Sequence, residues 1–243
     1  MRSAHSFLRS KANNMNDLNG AEKLQDIIGY KFTNIGYLTT ALSHSSYINE
    51  VKLNKTENYE RQEFLGDAVL ELSVSEYLFD KFNNMPEGEM TKLRASLVCE
   101  PTLSYIARNE LDLAKYILLG KGEENTGGRD RDSIISDVFE AVIGAIYLDG
   151  GFEPALEFVK KYVLTDMEQK IEFVDSKTRI QEKVQAQGKH LEYRLVSEEG
   201  PAHNRIYTSE IYIDDVLCGT GSGKTKKSSE QHAAYEALRS NNF

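Results

Sequence analysis

Four acids stand three or four residues apart between Asn58 and Leu72 (NYERQEFLGDAVLEL): Glu60, Glu63, Asp67 and Glu71. On a helix, at about 100° per residue, they form one narrow stripe. Phe64, Leu65, Ala68, Val69, Leu70 and Leu72 fill nearly all the remaining surface. Acids at this spacing ordinarily make a solvated face. A stripe with apolar side chains on both flanks suits that role poorly, and like charges so placed repel unless a cation lies between them. A bound metal resolves the conflict. A second segment, Ser133 to Leu148 (SIISDVFEAVIGAIYL), repeats the theme: Asp137 and Glu140 share a helical face, and Gly144 continues it. Glycine inside a helix costs about 1 kcal/mol relative to alanine, so Gly144 implies another backbone close by. Two helices crossing at their acid faces would bring Glu63, Asp67, Asp137 and Glu140 together. Carboxylates around hard cations, with open positions for water and phosphate oxygens, are what metal-assisted phosphodiester hydrolysis requires.

These residues carry a family resemblance. ERQEFLGDAVL resembles the signature of the ribonuclease III family, and ISDVFEAVIGA resembles its second acidic motif. LSHSSY (Leu42 to Tyr47) and GKGEENTGGRDR (Gly120 to Arg131) are similar to further blocks of that family. The likeness runs from about Leu24 to the C-terminus; it departs at Gln62, where the family usually has leucine, off the acid stripe. It implies an endoribonuclease that cleaves double-stranded RNA, with a metal-activated water attacking phosphorus in line with the departing 3' oxygen. It further implies 5'-phosphate and 3'-hydroxyl products with staggered ends, Mg2+ as cofactor with Mn2+ as a substitute, and a cytoplasmic homodimer in which each site cuts one strand. Ribosomal and other structured RNA are the implied substrates.

The implied metal ligands are Glu63, Asp67, Asp137 and Glu140, and the implied catalytic acids are Asp67, Glu140, Glu60 and Glu87. In PEGEM both Glu87 and Glu89 offer a carboxylate, and the family's Glu-Gly pattern selects Glu87. Without the resemblance, these acids read as an ordinary helix start favoured by the macrodipole. The resemblance places Phe64 at the subunit contact, although the residue also suits an ordinary core. The competing reading is a catalytically silent double-stranded RNA-binding protein, which would be expected to have lost part of the acid set. None of the family's acids is missing.

The elements that must position these groups are consistent with two domains in 243 residues of which 40% are apolar. No run approaches the roughly 18 to 20 apolar residues needed to span a bilayer, and no secretory signal is visible. No membrane association is therefore expected. Cys99 and Cys218 lack metal spacing and read as free thiols in a reducing compartment. The net charge of -9 falls wholly before Val174, and the remainder is neutral. Attraction for phosphate must then come from local patches and bound cations.

Residues 1–15 read as a disordered extension, 16–172 as an all-α endonuclease domain, and 173–243 as a small α+β domain. In the first domain, helices are expected around Leu24 to Ile28 and Ile35 to Leu42. His44, beside serines, reads as a maker of structural hydrogen bonds. The acidic helix, with Asn58 as N-cap, runs on to Phe79. Two helices punctuated by Pro101, the second acidic helix, and one from Pro154 to about Glu172 follow. A short linker is expected at Ile171 to Ser176. Beyond it, the order α-β-β-β-α in about 70 residues resembles a double-stranded RNA-binding domain. The resemblance assigns Thr178, Gln181, Glu182 and Gln185 to one minor groove, His203 to a second, and Lys224, Lys226 and Lys227 to the phosphates between them. Ser229, where that family favours alanine, and Leu191, where proline is common, depart from it. TGSGKT (Thr220 to Thr225) mimics a phosphate-binding loop, but the pattern's first glycine would fall on Cys218, so no nucleotide cofactor is expected.

Overall fold

The computed structural model describes residues 19–53, 56–200, 205–223 and 225–240. The expected N-terminal extension, His203 and Lys224 lie outside them. Contacts divide the chain after Thr165. The first unit is helical throughout: α1 (residues 19–28), α2 (Ile35–Ala41), α3 (Ser45–Val51), α4 (Glu60–Lys81), α5 (Glu87–Val98), α6 (Glu100–Asn109), α7 (Lys121–Asn125), α8 (Asp132–Gly150) and α9 (Phe152–Val159). Asn34 caps α2, its Oδ1 accepting from Gly36 N at 3.1 Å. Asn58, expected to cap α4, lies one residue ahead of the observed cap, Tyr59, although its Oδ1 accepts from Glu60 N at 3.3 Å.

The core of this unit is built on α8, whose residues from Ile134 to Ile146 are apolar on nearly every side and mostly buried. Val69, Leu70, Val74 and Leu78 of α4 and Leu103 and Ile106 of α6 are buried with it. α4 is not apolar-in throughout. Phe64, Leu72 and Phe79 are 82%, 57% and 71% exposed, and they share one face of the helix.

The helix expected from Pro154 to Glu172 is broken. α9 gives way to a π turn at Lys160–Leu164, Thr165 is extended, and Asp166 adopts left-handed φ 51°. A new helix, α10 (Met167–Ala186), then runs through the stretch expected as a linker. Its apolar seam explains the continuity: Met167, Phe173, Ile180 and Val184 are buried at helical spacing with no glycine or proline among them.

The second unit adds β1 (Leu191–Glu199), β2 (Ile206–Ile213), β3 (Val216–Gly223) and α11 (Lys226–Ser240). The strands form an antiparallel sheet in the order β1-β2-β3. Its core unites Ile180 and Val184 with Ile211, Ile213, Cys218, Ala233, Ala234 and Ala237. Pairing of the third strand with the second continues to Gly223. The glycines of the TGSG run are therefore strand residues. A Cβ at Gly221 would lie 2.2 Å from Ala233 N, so the bare backbone lets α11 seat on the sheet. Ser229 is accommodated by a buried partner, its hydroxyl lying 2.7 Å from that of Ser209, and Leu191 packs against the core.

Candidate active site

The two acidic helices cross at a pair of glycines. A Cβ on Gly66 would lie 1.9 Å from the Glu140 carbonyl oxygen, and one on Gly144 would lie 2.2 Å from that of Gln62. The backbone approach inferred from Gly144 is present, and Gly66 is its counterpart. The crossing holds Glu63 and Asp67 on α4 and Asp137 and Glu140 on α8 in one electrostatic field. Glu63, Asp137 and Glu140 are half-buried, while Asp67 and Glu60 are exposed.

Burial pushes Glu140 up to about 8, with added repulsion from Asp67, Glu63 and Asp137. Glu63 is pushed up to about 7 by burial and then by Asp137, Glu60 and Asp67. Asp137 is raised by burial, against a hydrogen bond from Tyr59 that lowers it. Among the described residues, no lysine or arginine pairs with any of the four. Glu71, the last acid of the stripe, differs: Arg94 lies 3.0 Å from it. Among the described residues, no three acid, histidine or cysteine side chains stand close enough together to grip one ion as they lie. The donor chemistry nonetheless fits a hard divalent cation: four carboxylates share a negative field, and among the described residues no lysine or arginine is paired with them.

Glu87, in the first turn of α5, is exposed and accepts from Thr91 Oγ1 at 2.9 Å. It does not figure among the charges that raise Glu63 and Glu140. His44 makes the structural hydrogen bonds expected of it, its Nδ1 accepting from Ser46 N at 3.1 Å, and burial lowers its pKa. Three neighbours escaped the sequence reading. Tyr59 donates to Asp137 Oδ2 at 3.3 Å, Glu100 adds repulsion at Asp137, and Glu123 acts on His44. Tyr59 lies inside the acidic motif, but it carries no charge and nothing local marks it as facing Asp137. Glu100 sits beside Pro101 and reads only as a helix start.

In the second unit Thr178, Gln181, Glu182 and Gln185 all lie exposed on one face of α10, with Ile180 and Val184 buried behind them. Lys226 and Lys227 are exposed in the first turn of α11. Thr225 Oγ1 caps this turn by accepting from Ser228 N at 3.0 Å.

An acid-lined helix crossing, followed by a helix–sheet–helix module with a polar helix face, defines a nuclease for duplex RNA. Residues 34–167 match the model for "Ribonuclease-III-like" domains, and residues 176–241 match that for the double-stranded RNA binding motif. A ribonuclease 3 from Staphylococcus haemolyticus is 49% identical over 228 residues, covering 91% of this chain and 92% of its own length. One from Staphylococcus aureus is 52% identical over 215 residues, covering 87% and 88%. The nuclease domain of ribonuclease III from Campylobacter jejuni superposes with a TM-score of 0.54 at 46% identity, covering 58% of this chain and 94% of that domain. The chain belongs to the ribonuclease III family and is an endoribonuclease acting on double-stranded RNA. The family is metal-dependent. The silent-binder alternative is not favoured.

Proposed function

We propose that this enzyme cuts RNA duplexes with Mg2+, leaving 5'-phosphate and 3'-hydroxyl staggered ends, in the processing of ribosomal and other structured RNA. The carrying observation is the set of uncompensated carboxylates on two helices locked at Gly66 and Gly144. Glu63, Asp67, Asp137 and Glu140 would hold the cation, with Glu60 and Glu87 as the outer acids of the site. Bound Mg2+ supplies an activated water and offsets charge on the phosphate. The chain's own part is to hold these carboxylates close together and partly screened from solvent, so that they resist ionising until a cation joins them. Thr178, Gln181, Glu182 and Gln185 would meet one minor groove, while His203, Lys224, Lys226 and Lys227 would engage the next groove and the phosphates between. Incubating the protein with a long RNA duplex, with Mg2+ or with EDTA, and mapping both ends of each product tests this reading. Blunt ends, 3'-phosphates or cleavage in EDTA would refute it.

The exposed Phe64, Leu72 and Phe79 face on α4 supports a homodimer, since a run of large apolar side chains on one helix face marks an interaction surface. The Campylobacter jejuni domain contains a region involved in dimer formation. Light scattering should give twice the chain mass, and Phe64→Ser should reduce it toward one. A cytoplasmic location accords with the absence, among the described residues, of any helix long and apolar enough to cross a membrane.

A further inference from the structure

Asp137 differs from the other three acids of the crossing. Among the described residues it alone receives a side-chain hydrogen bond, from the Tyr59 hydroxyl to Oδ2 at 3.3 Å. Tyr59 is only 5% exposed although it lies beside a polar site. Its backbone is fixed on both sides: its N–H donates to the Ser43 carbonyl at 2.9 Å, and its carbonyl accepts from Gln62 and Glu63 at 2.8 and 2.9 Å. The ring rests against His44, with centroids 5.7 Å apart.

His44 is itself clamped. Its Nδ1 accepts from Ser46 N and lies 2.7 Å from Ser46 Oγ. That oxygen accepts in turn from Gly120 N at 2.9 Å, so the imidazole proton belongs on Nε2. The His44 N–H donates to Leu118 O at 3.0 Å, and Leu118 N donates to Leu42 O at 2.8 Å. A Cβ on Gly120 would lie 2.6 Å from the Ser46 carbonyl oxygen. The LSHSSY block thus holds Tyr59 through Ser43 and His44, and the start of the GKGEENTGGR block holds Ser46, the partner of His44; the phenol is aimed at one carboxylate oxygen.

We infer that Tyr59 is a positioning residue: its hydroxyl occupies one lone pair of Asp137 Oδ2 and holds that carboxylate in the orientation in which it serves a divalent cation. The inference rests on the reading of Asp137 as a metal ligand. A partner behind a ligating carboxylate fixes its rotation, and removing such a partner typically costs about 10- to 100-fold in metal affinity. Tyr59→Phe removes the hydroxyl and keeps the ring against His44.

The test is Mn2+ affinity of the full chain without RNA, read from the free-ion paramagnetic resonance signal, for wild type, Tyr59→Phe, Asp137→Ala and the double variant. Thermal unfolding of each without metal runs alongside. Tyr59→Phe should weaken Mn2+ binding at least about tenfold with the metal-free melting temperature nearly unchanged. Cleavage lost at limiting Mg2+ should return at saturating Mg2+. In the Asp137→Ala background, Tyr59→Phe should have no further effect. If Asp137→Ala weakens binding and Tyr59→Phe does not, or if the two effects simply add, the positioning role is wrong. If Asp137→Ala leaves affinity unchanged, the metal-ligand reading falls and this inference with it.

Discussion

Two acid-rich stretches of the first unit solve the same electrostatic problem in opposite ways. Along the segment from Glu123 to Asp132 nearly every acid has an arginine. Arg131 lies 2.8 Å from Glu123, Arg129 lies 2.6 Å from Glu124, and Arg108 lies 3.0 Å from Asp132. Glu124 is accordingly held below the usual carboxylate range, first by its hydrogen bond to Arg129. At the α4–α8 crossing the acids have no such partners among the described residues, and Glu63 and Glu140 are pushed up to about 7 and about 8. Paired acids tie a loop down. Unpaired acids held close by a glycine crossing spend stability on a site that attracts a cation.

The sharpest way to break this contrast is to remove one unpaired acid. Glu140→Ala should lower the cleavage rate by about 10³-fold or more, as expected when several kcal/mol of metal-assisted stabilisation is lost. Binding of duplex RNA should be largely retained, because the polar face of α10 lies in the other unit. Cleavage and gel-shift assays on one preparation measure both, and equal loss of both in a folded variant would refute the division of labour. Gly66→Ala tests the crossing itself. The added methyl would fall 1.9 Å from a backbone oxygen that has no rotamer to escape into. Overpacking should cost about 1 to 3 kcal/mol despite alanine's better helix propensity, and denaturant unfolding would measure it.

How much of this contrast was legible in the sequence follows from range. The acid stripe and Gly144 were visible because helical periodicity is local and 3.6 residues is a sharp ruler. Gly66 was in plain view, but only the crossing shows it to be Gly144's counterpart. Periodicity alone does not tell whether Phe64, Leu72 and Phe79 face the protein's own interior or solvent, because an apolar residue at helical spacing looks the same in either place, and only the resemblance set Phe64 at a subunit contact. The Tyr59 contact with Asp137 joins positions 78 apart in sequence, and no periodicity reports it. The glycines of β3 mimicked a phosphate loop because their use, the close seating of α11, is a tertiary fact. His203 and Lys224 keep only their sequence-based assignments.

A subtler effect separates the two acid sets by pH. Glu63 and Glu140 have folded-state pKa values above their unfolded value of 4.5. Between about pH 4.5 and 8 the native chain therefore binds more protons than the unfolded chain, and stability falls as pH rises. In EDTA the melting temperature should decline from pH 5.5 toward pH 8, and Mg2+ should recover part of it at pH 8 by binding the native state. Glu140→Gln should flatten the decline. A flat wild-type profile in EDTA would show that the crossing carries no such strain.

The smallest effect belongs to the paired acids. Glu124 has a lowered pKa, so its contribution is present above its unfolded value of 4.5 and is lost as pH falls through the folded value. Arg129 also donates to the Ala114 carbonyl, which ties the loop to the turn at Leu113–Tyr116. Both partners of the pair are partly solvated, with 31% and 43% of their side-chain surface exposed, so the ion pair is screened. Arg129→Ala should cost only about 0 to 1 kcal/mol at neutral pH. The cost should shrink as pH falls through the lowered pKa of Glu124, below which the carboxylate is protonated in both variants, and cleavage at saturating Mg2+ should be unchanged. Denaturant titrations from pH 7 down through the acid range, run beside a cleavage assay at neutral pH, measure each part. A large loss of cleavage with native stability would mean that this loop serves the reaction directly, and the distinction between paired structural acids and unpaired functional ones would fail.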